Sequence, residues 1–194
     1  MNIVTEGAGF VLSTVLALLP IVNPLSAIGV VLGVTTNLTD EERIVQIRRA
    51  CVYMFVLLVA FLVAGGLIMS FFGISIPGLR ISGGLIVAYL GFRMLFPDQA
   101  PITRQERSEA IAKEDVSFTP LAMPSLSGPG SIAVVVGLSS TLQQSENVIV
   151  GHVFMVIGIA ITAAISYLVL RASTRLHELL GATGINAFSR IMGF

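Results

Sequence analysis

The stretch PSLSGPGSI, residues 124–132, decides how this chain folds. It lies in an apolar run that carries no charged residue between positions 116 and 145. Proline removes a backbone N–H and displaces the preceding residue from helical geometry, and glycine tolerates the irregular backbone that follows. A segment whose composition requires a helix is therefore interrupted by four helix breakers, Pro124, Gly128, Pro129 and Gly130.

The composition is that of a membrane protein. Of the 194 residues, 55% are hydrophobic and 11% are charged, and the mean hydropathy is +0.92. An ordinary soluble domain has about 25% charged residues. The formal net charge is zero and no basic patch is interleaved with aromatic residues, so we expect the lipid bilayer, and not nucleic acid, as a partner.

The apolar segments are long enough for membrane-spanning helices. A helix that crosses a hydrocarbon core of about 30 Å needs about 20 apolar residues. The turn signal FGISIPG, residues 72–78, divides an uncharged stretch that is too long for one crossing. The sequence therefore predicts five spans and the start of a truncated sixth, at about residues 9–33, 51–70, 77–96, 118–139, 148–170 and 184–194.

The basic residues of the connecting segments predict how these spans are oriented, because arginine and lysine accumulate in cytoplasmic loops. Every second connection is basic, and the connections between them have no basic residue. The N-terminus should therefore lie outside the cytoplasm, and residues 98–117 should form a cytoplasmic loop. The basic residues concerned are Arg43, Arg48, Arg49, Arg93, Arg104, Arg107, Lys113, Arg171 and Arg175.

Two halves of the chain resemble each other. LPIVNPLSAIGVVLG, residues 19–33, and MPSLSGPGSIAVVVG, residues 123–137, share two prolines followed by a smooth apolar run. RISG at residues 80–83 and RIMG at residues 190–193 form a second pair in the same order. The alternative to a true repeat is chance similarity among apolar sequences.

The predicted fold is therefore an all-α polytopic membrane protein with two three-helix repeats, residues 1–97 and 118–194. Because three is odd, the second repeat enters the membrane from the opposite face, as in the inverted repeats of many secondary transporters. The first helix of each repeat is expected to be broken, and the sixth helix to be incomplete at Phe194.

Interrupted helices at matching positions are the best sequence indication of a substrate site in such folds. A break exposes backbone N–H and C=O groups, which cannot face lipid. The N–H groups at a helix start favour an anion or a carboxylate. The alternative is a pair of proline kinks that serve packing alone. The predicted substrate-binding residues are Asn23, Pro24, Ser26, Ser127, Gly128, Pro129, Gly130 and Ser131.

Arg80 and Arg190 are the basic residues that lie inside predicted spans. An arginine at the centre of a membrane helix costs about 2.5–3.5 kcal/mol even on insertion scales. The side chains of these two residues could reach the membrane–water interface or bind a substrate carboxylate. The interpretation we favour is that they brace the broken helices.

No acidic residue lies in a predicted span, and no phosphate-binding loop, CxxC pair or nucleophile motif occurs, so an enzyme is not expected. We expect no cofactor and no metal site. Two alternatives for energy coupling stay open: transport without coupling, and a coupling sodium ion bound by unwound carbonyls with Asn23, Ser127 or Ser131. The sequence also leaves open whether the protein forms a homo-oligomer.

Four stretches together resemble a known family. ALLPIVNPLSA, FGISIPGLRISGGLIVAYLGFRMLFP, PLAMPSLSGPGSIA and TGINAFSRIMGF are similar to the MarC family of six-span bacterial inner-membrane proteins. The resemblance covers nearly the whole chain and implies a multi-pass inner-membrane protein, in a family grouped with transporters of neutral amino acids such as glycine and alanine. In that family the sixth helix continues past the RIMG motif. The family motifs fall on Asn23, Pro24, Arg80, Gly83, Gly84, Gly128, Pro129, Gly130, Arg190 and Gly193.

The sequence thus predicts a transporter that moves a small zwitterion by alternating access. The substrate carboxylate would meet the helix start after Gly130, and its ammonium group would meet carbonyls freed near Pro20 or Pro124. The alternatives are an exporter of drugs or other metabolites and a membrane protein that transports nothing and has a structural or regulatory role.

Overall fold

The computed structural model describes residues 3–73, 75–95, 115–142 and 148–193, and every element in these ranges is helical. The short stretch Ser117–Leu126, here named the double-proline segment after Pro120 and Pro124, is the irregular element among them. The seven regular helices are α1 Ile3–Val22, α2 Pro24–Val34, α3 Asp40–Phe71, α4 Ile76–Leu95, α5 Pro129–Leu142, α6 Val148–Arg171 and α7 Ser173–Gly193.

Helices α1 and α2 form the first broken helix, with a bend of 42° between their axes. Asn23 separates them with left-handed backbone angles, φ 40° and ψ 67°. Asparagine is one of the few residues that tolerate this conformation. Pro24 then occupies the first position of α2, where its missing N–H removes no helical hydrogen bond. The local sequence NP is therefore sufficient to explain this break.

The double-proline segment and α5 form the second broken helix, bent by 62°. Thr119 and Met123, which precede the two prolines through cis peptide bonds, have extended backbone angles. The N–H groups of Leu121 and Ser127 bond to carbonyls five residues back, at 3.2 and 2.8 Å. Proline excludes helical geometry from the residue before it, so the segment cannot form a regular helix.

Two unbroken helices, Asp40–Ile68 and Val148–Arg171, are long and apolar enough to cross a membrane. Each broken helix also qualifies when its two parts are counted as one span, which gives up to four spans within the described ranges. Helix α4 agrees with the third predicted span in its bounds. The prediction of an all-helical membrane fold is confirmed at this level.

The structure differs from the sequence prediction at two helix starts. Helix α3 begins at Asp40 and not near residue 51, because Thr39 and Glu42 form a reciprocal N-terminal cap: the Thr39 N–H donates to the Glu42 carboxylate at 2.8 Å, and the Glu42 N–H donates to Thr39 Oγ1 at 3.3 Å. Helix α7 begins at Ser173 and not near residue 184. It is interrupted at Gly181, whose φ of 61° and ψ of 176° suit glycine alone.

The helices of the first half pack mainly on those of the second half. Helix α1 lies against α6, and the double-proline segment lies against α3. Helix α2 packs on α7 and α6, and α5 packs on α4 and α3. In addition, α3 packs on α6, and α4 packs on α7. These pairings are symmetric between the two halves. If α1, α2, α3 and α4 exchange places with the double-proline segment, α5, α6 and α7, respectively, each of the most extensive pairings becomes another member of the same set.

One end of the bundle carries most of the described arginines. A hydrogen bond from Arg43 to Thr174 places the start of α3 beside the start of α7, and an ion pair from Arg49 to Asp115 adds the start of the double-proline segment. We name this the arginine end, with Arg43, Arg48, Arg49, Arg171 and Arg175 as its basic residues.

The core of the bundle is apolar, and so is much of its outer surface. Leu18, Ile28, Met54, Leu121 and Ile159 are fully buried and come from five different elements. Large apolar side chains also point outward from α3, α4 and α6, a surface that requires lipid or another apolar partner around it. They include Val63, Leu67, Phe71, Ile81, Leu85, Tyr89, Ile149 and Val153.

The close approach of α1 and α6 leads to a stability prediction. A Cβ atom on Gly158 would lie 2.7 Å from the Cβ of Thr14 and 3.1 Å from the carbonyl oxygen of Val11. We expect Gly158→Ala to destabilise the fold by about 1–3 kcal/mol through overpacking. Gly9→Ala is the control, since no atom lies within 4 Å of its added methyl group. Apparent melting temperatures in detergent test this, and equal values for the two variants would contradict it.

Candidate functional site

Asn23 closes the start of α2. Its side-chain Oδ1 accepts a hydrogen bond from the Ser26 N–H at 3.2 Å, and its own N–H continues α1 by donating to Leu19 O at 3.0 Å. The side chain therefore satisfies one of the N–H groups that a helix start leaves free. Asn23 is only 6% exposed, and within the described residues its Nδ2 group donates to no acceptor. That amide remains available to a ligand.

Helix α5 begins without a side-chain cap. The residue before it is Gly128, which has no side chain, and the first helical residue is Pro129, which has no N–H. The next N–H groups, of Gly130 and Ser131, stand where a helix has no internal acceptor. No side chain in the described part of the structure accepts from them, and both residues are buried. Among the described residues, the start of α5 therefore offers buried backbone donors that no side chain caps.

Ser127 lies at the bend just before α5. It is fully buried, and among the described residues its Oγ has no hydrogen-bond partner. A buried hydroxyl without a partner costs about 1–3 kcal/mol, and such groups in native proteins commonly serve a ligand, a water or an ion. Ser127 therefore adds a third free donor next to the N–H groups of Gly130 and Ser131.

The neighbouring serines have local partners. The Ser125 hydroxyl donates to Pro120 O at 2.8 Å, and the Ser131 hydroxyl donates to Leu126 O at 3.3 Å. Each accepting carbonyl lies five residues back, in the region where proline or the bend removes the usual N–H donor. The Ser131 hydroxyl therefore already donates to a backbone carbonyl, and the role of Ser131 in substrate binding stays a prediction.

Gly128 keeps the second bend compact. A Cβ atom on this residue would lie 2.9 Å from the carbonyl oxygen of Pro124, which is backbone and cannot rotate away. Sequence analysis selected Gly128 as a helix breaker and missed this steric role. A glycine four residues after a proline is too common a pattern to have revealed it.

The elements that flank the two breaks pack on one another. Helix α2 packs on the double-proline segment, and α1 packs on α5. Of the predicted residues, Asn23, Pro24, Ser127, Gly130 and Ser131 are buried there. The remaining three are less enclosed: Gly128 is partly buried, and Pro129 and Ser26 are exposed.

The two arginines of the predicted site are placed only by their helices. Arg80 lies in the first turns of α4, and Arg190 lies near the end of α7. Their side chains are outside the described residues, as is most of the predicted loop at residues 98–117. The bracing role of both arginines stays a prediction.

Comparison with known proteins decides the family. The profile described as MarC family integral membrane protein matches residues 8–194. The chain belongs to the MarC family. It is 45% identical over 186 residues to proteins named inner membrane protein MarC from Escherichia coli K12, Escherichia coli O1:K1 / APEC and Shigella flexneri. The match covers 91% of this chain and 84% of each relative, and no solved structure matches the chain.

Membership in the MarC family makes this chain an integral protein of the inner membrane. Its exposed apolar side chains on α3, α4 and α6 fit a protein that is surrounded by lipid. The resemblance carried by the NP, RISGG, GPG and RIMG motifs is therefore confirmed.

Proposed function

We propose that this MarC family protein is a secondary transporter whose two broken helices bind a small zwitterion, such as glycine or alanine. The observation that carries the proposal is the buried Ser127 hydroxyl, which has no hydrogen-bond partner among the described residues. It lies just before the start of α5, where the N–H groups of Gly130 and Ser131 have no acceptor within their own helix. A site made of donors from a helix start suits a carboxylate.

The substrate carboxylate would accept from the N–H groups of Gly130 and Ser131 and from Ser127 Oγ. Hydrogen bonds to an ionised group are about twice as strong as those between neutral groups, and burial strengthens them further. The Nδ2 amide of Asn23, in the first broken helix, would supply a fourth donor for the same carboxylate.

The ammonium group would bind carbonyls that prolines leave without a donor. In α1, Pro20 cannot donate to Leu16 O, and Pro24 cannot donate to Pro20 O. In the double-proline segment, Ser125 already donates to Pro120 O, so that carbonyl is occupied. The first broken helix is therefore the better place for the ammonium group.

The packing pattern supports two inverted repeats, α1–α4 and the double-proline segment with α5–α7. The main pairings interchange when the elements of one half replace those of the other, as a twofold axis in the membrane plane would require. Because arginines collect on the cytoplasmic side, the arginine end would face the cytoplasm and the N-terminus the opposite side. The site between the repeats would then open alternately to each side.

Uptake of labelled glycine and alanine into proteoliposomes tests the proposal, with Ser127→Ala as the variant. We expect its apparent KM to rise about tenfold or more, because a hydrogen bond to a charged group contributes roughly 1.5–3 kcal/mol. The variant should be at least as stable as the wild type, since it removes a buried hydroxyl without a partner.

Ser140→Ala is the matched control, because Ser140, near the other end of α5, is also fully buried but donates to Gly137 O at 2.6 Å. It should leave the KM unchanged. A sodium gradient applied in parallel tests for a coupling ion, for which the carbonyls at the bends and Ser127 are the proposed ligands. Absence of uptake of either amino acid by a well-folded protein would overturn the substrate class.

A further inference from the structure

Arg43 forms the most extensive polar contact at the arginine end. Its Nη1 donates to Asp40 Oδ1 at 2.7 Å and to Thr174 Oγ1 at 3.3 Å, and its Nε donates to Thr35 Oγ1 at 3.0 Å. Its Nη2 donates to the backbone carbonyl of Thr35 at 3.4 Å. The side chain is only 15% exposed. One guanidinium therefore joins the end of α2, the start of α3 and the start of α7.

The contact with Thr35 acts on the first broken helix. Thr35 is fully buried and ends α2, with its own N–H and hydroxyl donating to Val31 O at 3.0 and 2.6 Å. A cation at a helix C-terminus is stabilised by the helix dipole. Helix α2 has 11 residues, a length of about 16 Å, and its other end is capped by Asn23. Arg43 thus fixes the far end of the helix whose start forms part of the proposed site.

Arg49 makes an equivalent contact with the second broken helix. Its Nη1 donates to Asp115 Oδ2 at 3.1 Å, and Asp115 Oδ1 accepts from the Ser117 hydroxyl and, at 2.9 Å, from the Ser117 N–H. The Ser117 hydrogen bonds, with the charge of Arg49, hold the pKa of Asp115 below its usual range. Ser117 begins the double-proline segment. Helix α3 therefore holds the outer end of each broken helix.

The two contacts differ in how firmly they hold. Arg49 and Asp115 are 53% and 50% exposed, and exposed ion pairs contribute little. Arg43 is far less exposed and contacts two further helices, α2 and α7. We therefore expect it to contribute more than Arg49 to holding the helix ends together. The bond from Arg43 to Thr174 also crosses from the first proposed repeat to the second, over 131 residues of chain.

We propose that Arg43 is the latch that holds the arginine end closed between the two repeats, an inference that rests on the proposed transport function. In alternating access the repeats separate at one end while they close at the other. Opening the arginine end would move α7 away from α2 and α3, which requires the Arg43–Thr174 bond to break. The structure is then the state that is closed at the arginine end, and Arg43 is a positioning residue that sets how often this end opens.

A thiol reporter placed behind the latch tests the proposal. Ser173, beside Thr174, is buried, and Cys51 is the cysteine to remove first. In a Cys51→Ser, Ser173→Cys protein in detergent, we measure the rate of labelling by a maleimide. Arg43→Gln and Thr174→Ala should each raise this rate roughly tenfold, within the 5–150-fold range typical of coupled equilibria. Arg48→Gln, a change of an exposed arginine in the same turns of α3, should leave the rate unchanged.

A second reporter separates opening from loss of structure. Thr14 is buried between α1 and α6, away from the latch, so a Thr14→Cys thiol should label at the same rate with and without Arg43. An equal rise at both reporters, or no rise at Ser173→Cys, would overturn the latch. Labelling needs no substrate, so it tests the latch independently of transport. If loss of Arg43 raised labelling at Ser173→Cys but the protein took up neither glycine nor alanine, the latch would stand and the proposed function would be refuted.

Discussion

We expect the replacement of Gly128 by alanine to reduce the initial rate of glycine uptake by about 100-fold. The added methyl group would lie 2.9 Å from the Pro124 carbonyl oxygen, so the double-proline segment and α5 must move apart. That movement would displace the N–H groups of Gly130 and Ser131 from the position in which we propose that they bind the substrate carboxylate. In enzyme active sites a misplacement of about 1 Å can lower the rate about 100-fold, and we use that magnitude for the proposed site. Uptake by proteoliposomes with equal amounts of reconstituted protein measures the effect.

Gly137→Ala provides the comparison for this variant. Gly137 lies in the same helix, α5, and no atom lies within 4 Å of the position that its added methyl group would take. Both variants make the same chemical change, so a difference in uptake reports the bend and not the helix as such. Gly128→Ala protein that transports at the wild-type rate would show that the geometry of this bend is irrelevant to the site.

Replacing Asn23 by alanine or by glycine separates the structural role of this residue from its proposed contact with the substrate. Alanine loses the cap on Ser26 and must adopt φ 40°, so Asn23→Ala should destabilise the fold by about 2–3 kcal/mol. Glycine tolerates the left-handed backbone and costs only a few tenths of a kcal/mol as a cap. Asn23→Gly should therefore melt close to the wild type.

Both Asn23 variants nevertheless lack the Nδ2 donor, so both should bind the carboxylate more weakly, with an apparent KM raised about tenfold or more. The melting temperature reports the structural role of Asn23, and the KM of uptake, measured on the same preparations, reports its contact with the substrate. If Asn23→Gly took up glycine with the KM of the wild type, Asn23 would act only as a helix cap and would have no place in the binding site.

Several features of this protein follow from local sequence alone. The breaks at Asn23 and Pro24 and at Gly128 and Pro129 were predictable, because proline and glycine act on the backbone within one or two residues of themselves. The unbroken span Val148–Arg171 was predictable from its length and its lack of charge. The family was recognisable because its motifs are contiguous in the chain.

Helix starts were predicted less well where polar residues carry the signal. The cap between Thr39 and Glu42 begins α3 in a charged stretch, which hydropathy excludes from a span. Helix α7 likewise begins in polar sequence, and a single Gly181 interrupts it. Helices in this chain extend beyond the apolar segments because backbone hydrogen bonding does not require apolar side chains once a cap is present.

Sequence by itself determined where the two helices break and that the chain lies in a membrane, since both depend on neighbouring residues and on composition. Which polar groups stay free was visible only in the folded structure, once the bends had formed and other helices had buried them. Asn23 Oδ1 and the Ser131 hydroxyl are taken by the backbone, whereas the equally plausible Ser127 hydroxyl is left without a partner in the described part of the chain. The contact of Arg43 with Thr174 joins residues 131 positions apart, and no local pattern encodes it, because such a pair forms only when separate helices pack.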